Sequence, residues 1–363
     1  MLLKFVVVCV VVGVVTPALT VSGVQQMPKE WPCPIKSDIY PCICSYNQSY
    51  DLFMDCSDVE NNDELEIAFR ESEFPFLKYK EFKIVHDPND EKNMLTKIGP
   101  DTLRELSFER IIITGTKLNE IADEAFHHSH DTLLYMDISN NDLNSFPLES
   151  INEYSQLKIF KLDDNKFPEL PEIPSDSLEV FSISGNPNLN IFQNAFQQAP
   201  LLREIYLARL QLKVLEPGLF LNLTHLAILD IHGNKLELLD EYSVATKEVS
   251  LQYVNVDDNL LTGMRHDAIH GLTKTATVSM RNNQIIYLYN NTWSHVIDQL
   301  RPDGKLDLEN NPLVCGCDMS WIMFSKDKVD LYLFTDTTTC KTGEIIIYLP
   351  MQNFCDNCLP NDC

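Results

Sequence analysis

The chain has 363 residues, 28 lysines and arginines against 53 aspartates and glutamates, and a formal net charge of −25. Such a balance keeps a protein soluble and excludes the basic footprint that nucleic-acid phosphates require; it hints instead at a basic or calcium-bearing partner. Twelve glycines in the whole chain leave little room for glycine-rich phosphate or cofactor loops.

In chain order, Lys4 precedes an apolar run from Phe5 to Val15 that ends near Pro17-Ala18-Leu19-Thr20. A basic start, a short hydrophobic stretch and a small-residue exit predict a secretory signal over residues 1–20 or so, cleaved between Ala18 and Gly23. The run falls short of the roughly 20 apolar residues of a membrane span, and no later run replaces it, so no membrane span is expected. Eleven cysteines become ten once Cys9 leaves with the signal. Cys33, Cys42, Cys44 and Cys56 stand at the front, and Cys315, Cys317, Cys340, Cys355, Cys358 and Cys363 at the rear. An even set on an export route predicts disulfides rather than a zinc site, although Cys315, Cys317, Cys355 and Cys358 could in principle supply four thiolates. Asn47, Asn222 and Asn290 each begin an Asn-x-Ser/Thr glycosylation acceptor.

Between the cysteine clusters one frame recurs, L-x-x-L-x-L-x-x-N-x-L with apolar residues interchanging. Leu133, Met136, Ile138, Asn141 and Leu143 form one copy; Leu226, Leu229, Ile231, Asn234 and Leu236 form another. From Thr116 through Asn141, Asn165, Asn186, Leu210, Asn234 and Asn259 to Asn283, the steps are 25, 24, 21, 24, 24, 25 and 24 residues. A weaker copy surrounds Ile111 and Ile113, and a degenerate one near Phe82 and Ile84 runs into a polar insertion, 86–97. Periods of this length signal stacked repeats, because one copy cannot bury its own apolar side. The L-x-L core predicts a short strand, and the Asn a side chain that satisfies backbone groups where the chain turns. Prolines at 147, 168, 171, 174 and 187 disfavour helices on the return path, so turns, short 3₁₀ pieces and extended segments are expected there. Thr116 and Leu210 stand where the frame has asparagine; local repacking explains both.

The flanks name a family. Cys33-Pro34 … Cys42-Ile43-Cys44 … Met54-Asp55-Cys56 resembles the N-terminal cap of extracellular leucine-rich-repeat proteins, and Asn311-Pro312-Leu313-Val314-Cys315-Gly316-Cys317 … Trp321 resembles the C-terminal cap. The expected fold is an α/β solenoid, a leucine-rich-repeat horseshoe with a concave parallel sheet: cap at 31–75, about nine to ten repeats at 76–313, cap at 314–363. The resemblance implies Cys33–Cys44, Cys42–Cys56 and Cys315–Cys340 pairs, and Cys317 with Cys355 or a later cysteine. Trp31-Pro32-Cys33-Pro34, Tyr40-Pro41-Cys42 and Glu64-Leu65-Glu66-Ile67-Ala68-Phe69 further look like a group of arthropod secreted repeat proteins similar to the non-catalytic subunit of the Oplophorus luciferin 2-monooxygenase. That likeness implies a stabilising subunit, with a separate small chain performing the light-emitting chemistry. An extracellular recognition, adhesion or immune protein is the alternative.

Catalytic constellations are wanting. His127, His128 and His130 fall on a return segment, and His266-Asp267-Ala268-Ile269-His270 lacks the glutamate a zinc-protease helix needs. No cofactor, metal or catalytic residue is expected. Strand alternation instead singles out a partner-binding face. One column runs Tyr135, Ile159, Val180, Glu204, Ile228 and Tyr253; its neighbour runs Asp137, Lys161, Ser182, Tyr206, Asp230, Asn255, Ser279 and Asp307. The apolar members, flanked by Asp137, Asp163, Asp230 and Asp257, suit another secreted protein as partner.

Overall fold

The structure, a computed structural model, describes residues 31–325, 330–352, 354 and 358. The expected signal segment, Cys355 and Cys363 lie outside them. A single sheet of twelve strands runs through the molecule: β1 (Ile43–Tyr46), β2 (Leu52–Asp55), β3 (Lys78–Val85), β4 (Ser107–Thr114), β5 (Tyr135–Asp137), β6 (Ile159–Lys161), β7 (Val180–Ser182), β8 (Glu204–Tyr206), β9 (Ile228–Asp230), β10 (Leu251–Asn255), β11 (Leu272–Ser279) and β12 (Lys305–Asp307). Only β1 and β2 are antiparallel; every later neighbour is parallel and follows its predecessor in sequence. That order, one strand per repeat with a return path between, is the leucine-rich-repeat architecture.

The inward residues of the strands are fully buried: Ile111, Met136, Phe160, Phe181, Ile205, Leu229, Val254 and Val278 are all 0% exposed. Phenylalanines thicken the middle of this core. Rings of Phe146, Phe160, Phe181, Phe196 and Phe220 follow one another at 5.3, 6.1, 6.1 and 5.8 Å between centroids. Three helices were not foreseen, α1 (Asn62–Arg70) in the front cap, α2 (Asn290–Leu300) before β12 and the four-residue α3 (Ser320–Met323) in the rear cap; the rest of the return side is turns, 3₁₀ pieces and two-residue parallel strand pairs such as Glu169–Leu170 with Asn190–Ile191.

The repeat asparagines form a hydrogen-bonded ladder. Asn165 donates through Nδ2 to the carbonyls of Leu162 (3.1 Å) and Ile138 (2.9 Å), and its Oδ1 accepts from Leu143 N (3.0 Å). Asn234 repeats this toward Ile231 and Leu207 and accepts from Leu210 and Leu212. One side chain thus satisfies both its own turn and the turn before it. Where Leu210 replaces asparagine, its carbonyl accepts from Asn188 N at 3.0 Å, so the backbone takes over part of the lost pairing. Thr116 donates its N–H and hydroxyl to Asn141 Oδ1.

The ends are closed by disulfides, Cys33–Cys44 and Cys42–Cys56 in front and Cys315–Cys340 and Cys317–Cys358 behind. At the rear, Arg301 at the end of α2 forks onto Asp330, donating from Nε and Nη2 at 2.6 Å each. Burial alone would raise the Asp330 carboxyl pKa, but hydrogen bonds from Arg301 hold it below the usual carboxylate range.

Candidate partner-binding face

The pleat decides which side chains can meet a partner. In each short strand the central residue enters the core and its two neighbours face the concave side. Pairing then stacks those neighbours into columns. Tyr135 pairs with Ile159, Ile159 with Val180, Val180 with Glu204, Glu204 with Ile228 and Ile228 with Tyr253. Beside them, Asp137, Lys161, Ser182, Tyr206, Asp230 and Asn255 are in register in the same way. Tyr135, Asp137, Ile159, Lys161, Val180, Tyr206, Ile228, Asp230, Tyr253 and Asn255 are all half-buried.

Other members of the columns are less available. Ser182, Ser279 and Asp307 are 5%, 2% and 9% exposed, and each is hydrogen-bonded to a residue of a neighbouring turn: Asp163, Asp257 and Thr335 respectively. Ser182 donates to Asp163 at 2.5 Å, and Ser279 donates to the buried Asp257 at 2.6 Å. Asp163 also accepts from Ser184 N at 2.7 Å; burial nevertheless leaves its carboxyl pKa above the ordinary value. Asp163 and Asp257 therefore brace neighbouring strands as much as they rim a stripe.

The aromatic residues are held by charge. The guanidinium of Arg110 lies 4.2 Å from the centre of the Tyr135 ring, a cation–π contact, while Arg110 Nε donates to Glu81 at 3.2 Å. Tyr135 donates its hydroxyl to Asp137 at 2.9 Å, and Tyr206 donates to Glu204 at 2.7 Å. Burial first, then Asp137, pushes the Tyr135 phenol up to about 12, and burial raises those of Tyr206 and Tyr253 as well. All three phenols remain neutral at physiological pH, so Tyr135 and Tyr206 keep donating. Toward the rear, Arg281 reaches Asp257 (3.2 Å), Asp307 (3.4 Å) and Glu309 (3.9 Å), and His232 contacts Asp230 at 2.7 Å.

His232, Arg281 and Glu309 were missed in reading the sequence. They follow the second column by two residues, so one more step of the same alternation would have found them. Elsewhere, His127 and His128 sit in a 3₁₀ turn, and the His266–His270 stretch is a turn leading into a two-residue strand, not a helix. Ala268 and Ile269 there are core residues. Among the described residues no three of His, Cys, Asp or Glu converge as metal ligands, and no helix is long and apolar enough to cross a membrane.

No family model matches the chain. It is 28% identical to the Oplophorus-luciferin 2-monooxygenase non-catalytic subunit of Oplophorus gracilirostris, over 81% of this chain and 80% of that one. It is 26% identical to Podocan-like protein 1 of Homo sapiens over 41% of this chain and 29% of the relative. Among solved structures, human 5T4 (trophoblast glycoprotein) superposes with a TM-score of 0.53 at 15% identity, covering 91% of this chain and 100% of that one. Toll, from the Drosophila Toll–Spatzle complex, gives 0.51 at 16% identity over 76% of this chain and 41% of its own. The chain has the leucine-rich-repeat fold of these structures, and through most of its length it is similar to a subunit described as non-catalytic.

Proposed function

We propose that this is a secreted, non-catalytic subunit that binds and stabilises a protein partner on its concave face, and that the partner is a luciferase-type catalytic chain. The observation that carries the reading is the in-register stripe of Tyr135, Ile159, Val180, Ile228 and Tyr253, half-buried without a partner and set among carboxylates. Aromatic and aliphatic anchors within a polar rim are what protein interfaces use. The disulfide-closed ends support secretion. Similarity to a non-catalytic luciferase subunit supports the catalytic chain as partner. On the concave side, Asp137, Asp163, Glu204, Asp230, Asp257, Asp307 and Glu309 outnumber Arg110, Lys161, Arg281 and Lys305, which favours a partner surface with basic groups.

A native pull-down of the secreted protein, with a Tyr135→Ala/Tyr253→Ala variant alongside and mass spectrometry of the captured chains, tests this. A small secreted chain retained by the wild type and lost from the variant supports the reading. Equal capture by both would move the interface off this stripe. Capture of another ligand, without a small catalytic chain, would favour extracellular recognition by the same face.

A further inference from the structure

The geometry points to the cleft beside α2 as the seat of an N-linked glycan carried by Asn290. The proposal rests on the secretory reading, since that route supplies the modification.

The three acceptor asparagines are not equivalent. Asn47 is built into its turn: Nδ2 donates to Asp51 at 2.8 Å, and Oδ1 accepts from the backbone of Ser49 and Asp51. Asn222 accepts from Lys247 Nζ at 2.7 Å. Asn290 is exposed, opens α2 and engages no hydrogen-bonding partner through its side chain among the described residues. It lines a cleft of about 890 Å³, shared with Tyr287, Tyr289, Ser294, Asp318 and Trp321.

The lining suits a sugar. A pyranose presents C–H groups on its faces and hydroxyls on its rim, so it needs an aromatic plane beside fixed polar groups. Tyr287 and Tyr289 are 45% and 50% exposed, with ring centres 5.3 Å apart and planes 26° from parallel. Their electron-rich faces attract C–H groups. Asp318 is held in place by accepting from Leu288 N (2.7 Å) and Gly316 N (2.9 Å), and a carboxylate has lone pairs to spare for hydroxyls. Trp321 donates its indole N–H to the Leu288 carbonyl at 2.7 Å, which fixes that part of the lining. The polar wall of the cleft is therefore preformed, and Asn290 itself belongs to the lining. A glycan seated there covers the exposed tyrosines on the return side and leaves the concave face to the partner.

The test is glycopeptide mapping of protein secreted from insect cells, with hydrogen exchange across 286–294 and 314–321. Three forms are compared: wild type, Thr292→Ala, which abolishes the acceptor but keeps Asn290, and Tyr287→Ala/Tyr289→Ala. The expected result is an occupied Asn290, and exchange in both segments about threefold or more faster in Thr292→Ala. The tyrosine variant should be glycosylated yet equally unprotected. Secreted protein bare at Asn290, or exchange unchanged by loss of the glycan, would overturn the proposal while leaving secretion intact. Full protection in the tyrosine variant would overturn the aromatic platform and the seat with it. A chain retained unmodified in the cells would count against the secretory reading itself, and the proposal would fall with it.

Discussion

At the scale of the residue, the repeat is a device for turning the chain after each strand. The residue before each frame asparagine, and before Leu210 in its place, is left-handed: Asn140, Asp164, Gly185, Arg209, Gly233, Asp258, Asn282 and Asn310 all have positive φ. Glycine, asparagine and aspartate tolerate that region and arginine does not, so Arg209 is the exception. Gly185 has a second constraint, because a Cβ there would stand 1.9 Å from Asp164 Oδ1. Gly185→Ala should lower stability by about 2 kcal/mol in urea unfolding, whereas Arg209→Gly should raise it by about 1 kcal/mol. The frame asparagines were legible in the sequence from their spacing. The left-handed column beside them was equally written there in Gly, Asn and Asp but follows no apolar period. Asp163 adds a pH dependence. Its carboxyl pKa is raised in the folded chain, so its favourable contribution is present below the unfolded value near 3.8 and is lost as pH rises through the folded one. Asp163→Asn, which keeps an acceptor for Ser182 and Ser184, should therefore be more stable than wild type at pH 7, with the gap closing toward pH 3.

At the scale of the element, strands were easier to read than helices. Apolar alternation marked every strand from β4 to β12, since each buries one face against a continuous core. Both principal helices escaped notice although their signals were present. Asn61 accepts from Glu64 N at 3.0 Å while Glu64 accepts from Glu60 N at 2.8 Å, a capping pair legible as Asn-x-x-Glu. Trp293, Val296, Ile297 and Leu300 are buried at helical spacing in α2. The step from Asn283 to Asn311 is 28 residues, longer than the others, which is the room the helix occupies. The Arg301–Asp330 fork ties α2 to the rear cap, and the Asp330 side chain has no solvent exposure. Arg301→Met should cost about 3 kcal/mol, because it strands a buried carboxylate. Limited proteolysis should then cut first in the rear cap, ahead of the repeats.

At the scale of the whole molecule, the solenoid separates two tasks. The core and its caps carry stability, and the concave face is left to vary. That face was legible because pleat and register follow from the frame alone. Its fixed interior ties were not, because whether Ser182 or Ser279 is reachable depends on the serine–aspartate bonds between adjacent strands. The excess of carboxylates on the face, under a net charge of −25, predicts that association with a partner slows as ionic strength rises from 50 to 500 mM, measured by stopped-flow or surface capture. Site-specific photocrosslinking tests whether the partner lies on the Tyr135–Tyr253 stripe. A photoreactive residue would be placed at Ile159, at Ile228, or at the exposed Glu169 of the return-side strand Glu169–Leu170. A partner seated on the stripe crosslinks from Ile159 and Ile228 and not from Glu169; crosslinks from Glu169 alone would place it elsewhere.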